Sequence, residues 1–234
     1  SDLDCVSKGK NLGRGVLLLG EHALVNDLPI EKRKSPLVLK KKPQLSVPFM
    51  FPNFALNALS IKIFNWLYYH KAKNGVHDSI IDYNSFFYPL DSIDNWNRIY
   101  GNRGFTQYQF VVPKKVGLEG ISKIIKKISS FGKGSFLAVL KTAGPYNGNY
   151  LSFPMEGYTL ALDFPISKDL FAFLDELDEV ILQYGGRLYT TKDVRMKEKF
   201  FKASYPDIKK FMTIRKNIKA NVTFESLQSK RLGL

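Results

Sequence analysis

From Ser167 to Tyr184 the apolar residues Leu170, Phe171, Leu174, Leu177, Val180, Ile181 and Tyr184 recur at intervals of three and four, and the stretch closes on Gly185 and Gly186. That spacing predicts a helix with one buried face, and a glycine at its end supplies the left-handed cap that stops it. A helix ended this way and running directly into Arg187-Leu188-Tyr189 belongs to a unit in which helices pack on a sheet. Loops beside such junctions are where reactive groups are displayed. Arg187, Tyr189 and Lys192 follow the glycines within a few residues, so a guanidinium, a phenol and an ammonium are brought near one another. On this segment alone, a capped helix with solvated Arg187 and Lys192 is the better reading of the residues.

The remaining chain supplies the sheet. Gly104-Phe105-Thr106-Gln107-Tyr108-Gln109-Phe110-Val111-Val112-Pro113 has strand character, and its period of two places Gln107 and Gln109 on one face, with Tyr108 and Phe110 on the other. The run from Phe136 to Lys141 predicts a strand on which Leu137, Val139 and Lys141 share a face, and the run from Tyr158 to Phe164 another that aligns Thr159, Ala161 and Asp163. Each strand thus has an apolar face and a small or polar one, the pattern of a sheet covered by helices on one side and lining a pocket on the other. Between them an amphipathic helix is expected from Leu118 to Phe131, with Leu118, Ile121, Ile124, Ile125 and Ile128 inward and Lys123, Lys126 and Lys127 in solvent. Further expectations are a buried strand at Val16–Leu19, a helix buried on most sides from Phe54 to about Lys73, a strand at Ile80–Tyr83, and three short helices after Lys192. The order of elements reads as α+β, with a mixed, largely antiparallel sheet.

Composition removes several classes of function. With 44% hydrophobic and 14% aromatic residues over 234 positions, the chain can fill a core. It holds no apolar run long enough to span a bilayer, and Ser1-Asp2-Leu3-Asp4 lacks the pattern of a secretory signal. The single cysteine, Cys5, is expected to be a buried, inert thiol and fits a reducing, cytoplasmic setting. His22, His70 and His77 have no partners at metal-ligand spacing, so no metal site is expected, and His22 is read as structural. The net charge of +14 points to an anionic partner. Its densest part, Lys32, Arg33 and Lys34 followed by Lys40, Lys41 and Lys42, lacks the interleaved aromatics that stack bases, which argues against nucleic acid as that partner. Residues 1–48 read as a junction and basic connector, and residues 49–234 as the binding domain.

Several motifs then occur in a recognisable order: Trp96-Asn97-Arg98-x-Tyr100-Gly101, Gly104-Phe105-x-Gln107-Tyr108-Gln109-Phe110-Val111, Leu151-Ser152-Phe153-Pro154, Asp163-Phe164-Pro165, and Gly185-Gly186-Arg187-Leu188-Tyr189-Thr190-x-Lys192-Asp193. Together they resemble the C-terminal half of the decaprenylphosphoryl-ribose oxidase family, FAD-dependent enzymes of the vanillyl-alcohol oxidase fold related to the aldonolactone oxidases. The resemblance implies oxidation of a secondary hydroxyl on a polyprenyl-phosphate pentose, with hydride passing to a flavin held mainly by an N-terminal FAD-binding domain outside this chain. This chain alone is accordingly expected to bind FAD weakly or not at all. By position, Lys192 corresponds to the family's active-site lysine, Tyr189 to a tyrosine that contacts FAD, and Gln107, Gln109, Leu137, Val139 and Lys141 to pocket-lining residues. Thr159 and Ala161 stand where actinobacterial members carry an Asn and a Cys. The resemblance further implies a lipid-linked or small sugar substrate, peripheral contact with the inner membrane, and a partner reductase that completes an epimerisation. An aldonolactone oxidase, or an anion-binding module without chemistry, are the alternative readings.

Overall fold

The computed structural model describes residues 2–39, 44–71, 75, 77–132, 134–135 and 137–234. Its strands are β1 (Asp2–Leu3), β2 (Gly15–Val16), β3 (Leu45–Ser46), β4 (Ile93–Asp94), β5 (Phe105–Pro113), β6 (Ala138–Ala143), β7 (Gly157–Pro165) and β8 (Arg187–Leu188). Its helices are α1 (Ile30–Arg33), α2 (Ala58–Lys71), α3 (Tyr83–Phe87), α4 (Gly117–Phe131), α5 (Leu170–Gln183), α6 (Glu198–Ser204), α7 (Ile208–Asn217), α8 (Ala220–Thr223) and α9 (Leu227–Arg231). The main sheet has the order β2-β1-β6-β7-β5-β8. Every pairing within it is antiparallel, and the parallel pairing sits in a separate ladder of β3 with β4.

The α+β expectation is met, and the alternation explains how. Tyr108, Phe110, Val112, Leu160, Leu162 and Phe164 all point to one side of β5 and β7 and are buried there. Against them lie Ile121, Ile124, Ile125 and Ile128 of α4 and Leu170, Leu174, Leu177 and Ile181 of α5, in one continuous core. Phe131 and Phe173 stack face to face across the two helices, with centroids 3.9 Å apart. Gly185 has φ +69, the left-handed conformation that ends α5. At Gly186 a side chain is excluded by packing, because a Cβ would come within 2.5 Å of the Val111 carbonyl oxygen. The glycine pair therefore turns the chain and lets β8 approach β5.

The expectations fail where apolar residues have no sheet or helix to cover them. Val16 ends β2, and Leu17, Leu18 and Leu19 are 70%, 53% and 85% exposed, so the buried strand expected there stops after one of its residues. Residues Ile80–Asp82 form no strand; the Asp82 carboxylate accepts a hydrogen bond from the Ser85 backbone N–H and starts α3 instead. Leu118 lies at 86% exposure because it occupies the outer face of α4's first turn. The helix expected after Pro52 is present as α2, capped by the Asn57 side chain, but only Ile61 is buried along it. Cys5 is fully buried, and burial pushes its thiol up to about 12, as an inert cysteine requires. His22, read as structural, is exposed. Lys32, Arg33 and Lys34 are exposed at the end of α1; Lys40, Lys41, Lys42 and Phe136 lie outside the described residues.

Candidate functional site

The site begins with register. Gln107 pairs with Asp163, Gln109 with Ala161, and Val111 with Thr159 across β5 and β7. On the other edge of β7, Val139 pairs with Ala161 and Lys141 with Thr159. Cross-strand partners share a face, so Gln107, Gln109, Val139, Lys141, Thr159, Ala161 and Asp163 form one patch opposite the core. Leu137 continues it one step before β6, where its carbonyl accepts the Asp163 backbone N–H. The Gln109 amide donates to Thr159 Oγ1 at 3.1 Å, which fixes that side chain along the sheet.

Lys192 reaches this patch through the turn after β8. The Tyr189 backbone N–H donates to the Gln109 carbonyl at 2.8 Å, and the chain then winds through a 3₁₀ turn, Thr190–Lys192. Gln107, Gln109, Tyr189 and Lys192 consequently meet at one small crevice of about 10 Å³ at the edge of β5, shared with the core residues Tyr108, Leu174 and Leu188. The turn is held from both ends. Asp193 accepts the backbone N–H groups of Arg195 and Met196 and pairs with Arg231 of α9 at 2.8 Å, while Gln228 of α9 donates to the Thr190 carbonyl. Behind it the Arg195 guanidinium bridges Asp175 and Asp178 of α5, and the Tyr108 hydroxyl donates to Asp178 at 2.7 Å. The Tyr189 ring packs on Phe153, centroids 4.6 Å apart.

Arg187 does not join Tyr189 and Lys192 in the cleft, although sequence proximity suggested all three. It pairs with Val111, further along β5 from Gln107 and Gln109. There it is buried, with its guanidinium donating to the Ser152 carbonyl at 2.8 Å and lying 5.3 Å from the Tyr205 ring centroid. These contacts make it a structural cation. Lys141 belongs to the shared face but stands at its exposed rim.

Sequence reasoning placed Asp163 on this face without giving it a role, and it is the most perturbed carboxyl there. Only 2% of the residue is exposed, and its Oδ2 accepts no hydrogen bond from a described residue. Burial lifts its pKa from 3.8 to about 6, against the opposing pull of a Gln107 hydrogen bond and the Lys192 charge. The folded chain therefore holds this proton more tightly than the unfolded chain. Stability is full below the unfolded value, falls as pH rises from 3.8 to about 6, and stays reduced above that. Asp163→Asn carries no such cost. It is expected to stabilise the fold by on the order of 2–3 kcal/mol at pH 7.5 and by almost nothing at pH 4. Urea unfolding at the two pH values checks this; equal stability of parent and variant at both would show that the carboxylate is solvated.

An antiparallel sheet packed by helices on one face and carrying two carboxamides and a buried carboxylate on the other defines an α+β unit. The chain is 38% identical over 231 residues to decaprenylphosphoryl-β-D-ribose oxidase of Mycolicibacterium smegmatis, a match that covers 99% of this chain and 50% of that protein. It is also 27% identical over 241 residues to a Streptomyces coelicolor protein described only as an uncharacterized protein in the mprA 5′ region, covering 99% of this chain and 64% of that one. The chain thus spans half to two thirds of the length of these relatives, and the similarity read from its motifs extends over nearly all of it. No family model matches.

Proposed function

We propose that this chain forms the substrate-binding part of an FAD-dependent oxidoreductase that oxidises a secondary hydroxyl of a polyprenyl-phosphate pentose. The observation that carries the reading is the face shared by Gln107, Gln109, Thr159 and Ala161 on β5 and β7, with the turn that bears Lys192 joined to Gln109 through the Tyr189 backbone N–H, in a chain related along 99% of its length to a sugar oxidase. FAD, when bound, supplies the acceptor for the hydride that leaves the sugar carbon. The residues present fit the substrate side of a flavin ring. Tyr189, braced by Phe153, offers an aromatic contact on the same turn as Lys192.

The chain's own contribution is to bind and orient. The Lys192 ammonium is placed to donate a hydrogen bond to the sugar oxygen and to stabilise the alkoxide that forms as the hydroxyl proton leaves to solvent, and a donor fixed in advance for that charge lowers the barrier to the hydride loss that turns the alkoxide into a ketone. Gln107 and Gln109 hold neighbouring hydroxyls, while Leu137, Val139 and Ala161 form an apolar floor under the ring carbons. Lys141, at the rim, is placed to meet a phosphate. Exposed Leu59, Ile63, Trp66 and Leu67 on α2, together with exposed Lys32, Arg33 and Lys34, support contact with an anionic membrane surface, where a lipid-linked sugar resides.

The test is anaerobic mixing of the FAD-loaded flavoprotein containing this chain with a polyprenyl-phosphate ribose and, separately, with an aldonolactone. Bleaching of the flavin absorbance by the ribose lipid is expected. Bleaching by the lactone alone would move the assignment to the aldonolactone oxidases, and bleaching by neither would refute it.

A further inference from the structure

The turn that bears Lys192 is too short to hold its own shape. A 3₁₀ segment of three residues closes few hydrogen bonds, and their geometry is poor. Here the Lys192 N–H donates to the Tyr189 carbonyl at 3.1 Å and the Asp193 N–H to the Thr190 carbonyl at 3.3 Å, both at the long end of the normal range. At its start the turn is fixed to the sheet by the Tyr189 N–H on the Gln109 carbonyl. Its remaining support comes from α9, 38 residues further along the chain.

Gln228 and Arg231 are three residues apart on α9 and so share a face. Thr190 and Asp193 have the same spacing on the turn. Gln228 Nε2 donates to the Thr190 carbonyl at 2.6 Å, and the Arg231 guanidinium donates to Asp193 Oδ2 at 2.8 Å. Lys192 lies between the two gripped residues. Asp193 is a rigid handle, because its side chain is 3% exposed and its Oδ1 takes the backbone N–H groups of Arg195 and Met196. A helix of five residues does not hold itself in water either, and α9 is anchored at both ends. Ser226 and Ser229 exchange hydrogen bonds at its start, and Leu232, immediately after Arg231, is 1% exposed in the hydrophobic core.

We infer that Gln228 and Arg231 are positioning residues for Lys192: through Thr190 and Asp193, α9 holds the turn so that the ammonium stays at the edge of β5. This role rests on the reading of Lys192 as the donor to the sugar oxygen and adds what keeps that donor in place. Neither Gln228 nor Arg231 lines the crevice where Lys192 meets Gln107 and Gln109, so an effect of either on turnover passes through the turn. The leverage is large, since displacing a reacting group by about 1 Å can cost on the order of a hundredfold in rate.

Hydrogen exchange and flavin reduction, both in the FAD-loaded protein containing this chain, test it. In the parent the Lys192 and Asp193 amides are expected to be protected. Arg231→Ala is expected to speed their exchange about tenfold or more, the loss of one hydrogen bond to a charged group, with the amides of α5 unchanged. It is also expected to slow single-turnover flavin reduction about ten- to a hundredfold, and Arg231→Lys, which can still meet Asp193, to recover much of the rate. In a Lys192→Ala background the same substitution is expected to slow reduction no further, because no ammonium is left to misplace. Equal slowing in both backgrounds would make Arg231 a general support of the fold and overturn the inference. Turn amides that are unprotected in the parent, or unmoved by Arg231→Ala, would overturn it as well. So would faster exchange with an unchanged rate in a protein that Lys192→Ala does slow. If Arg231→Ala fails to fold, Gln228→Leu, which leaves the Asp193 ion pair intact, carries the same comparisons. If Lys192→Ala reduces its flavin at the parental rate, the role of Lys192 in the sugar site falls, and hydrogen exchange alone decides whether α9 holds the turn.

Discussion

Lys192→Ala is expected to lower the rate of flavin reduction by about 100- to 1,000-fold in the FAD-loaded protein, with little change in melting temperature. Both halves of that expectation come from where the side chain sits. Its ammonium lines the cleft and, among the described residues, belongs to no ion pair that holds the fold, while its backbone is secured by the Tyr189 carbonyl and by neighbouring Asp193. Removing one fixed donor aimed at developing charge typically costs that factor in turnover. Gln109→Ala, which removes a group that orients the sugar equally before and during reaction, serves as the contrast: it raises KM more than it lowers kcat. Single-turnover flavin reduction, read beside thermal unfolding, separates the two. A Lys192→Ala protein that bleaches at the parental rate would make Lys192 a bystander.

The largest loss of stability is expected from Arg195→Ala, about 3–5 kcal/mol. The side chain is 11% exposed and its guanidinium is the main cationic partner of Asp178, itself 5% exposed. Burial raises the Asp178 pKa, and the Arg195 hydrogen bond and charge oppose that rise. Deleting the arginine strands a carboxylate in the core with, among the described residues, only the Tyr108 hydroxyl to satisfy it. The double variant Arg195→Met/Asp178→Leu is expected to recover much of the loss, because removing both charges removes the unpaired group. Urea unfolding of the two variants checks the difference. A mild effect of Arg195→Ala alone would mean that water reaches Asp178.

The part of the site carried by strand alternation was legible in the sequence. Once β5 and β7 are recognised, period two forces Gln107 with Gln109 and Thr159 with Ala161, and antiparallel pairing brings the two sets together. The cap of α5 at Gly185 was equally local, since a positive φ leaves few residue choices. What was not legible depended on contacts distant in sequence. Arg187 read as a companion of Lys192, and it is Ser152 and Tyr205 that engage it away from the cleft. Asp163 read as one more polar strand residue, and only its burial shows its cost. Leu17–Leu19 and α2 read as core because apolar residues signal burial only when another surface covers them; among the described residues little does.

The most direct measurement is a crystal structure of the FAD-loaded protein containing this chain with a ribose-bearing substrate analogue. The sugar is expected on the β5–β7–β6 face, with one oxygen within hydrogen-bonding distance of Lys192 Nζ and hydroxyls donating to Gln107 and Gln109. A sugar bound elsewhere, with this face empty or covered by protein, would contradict the assignment of the site.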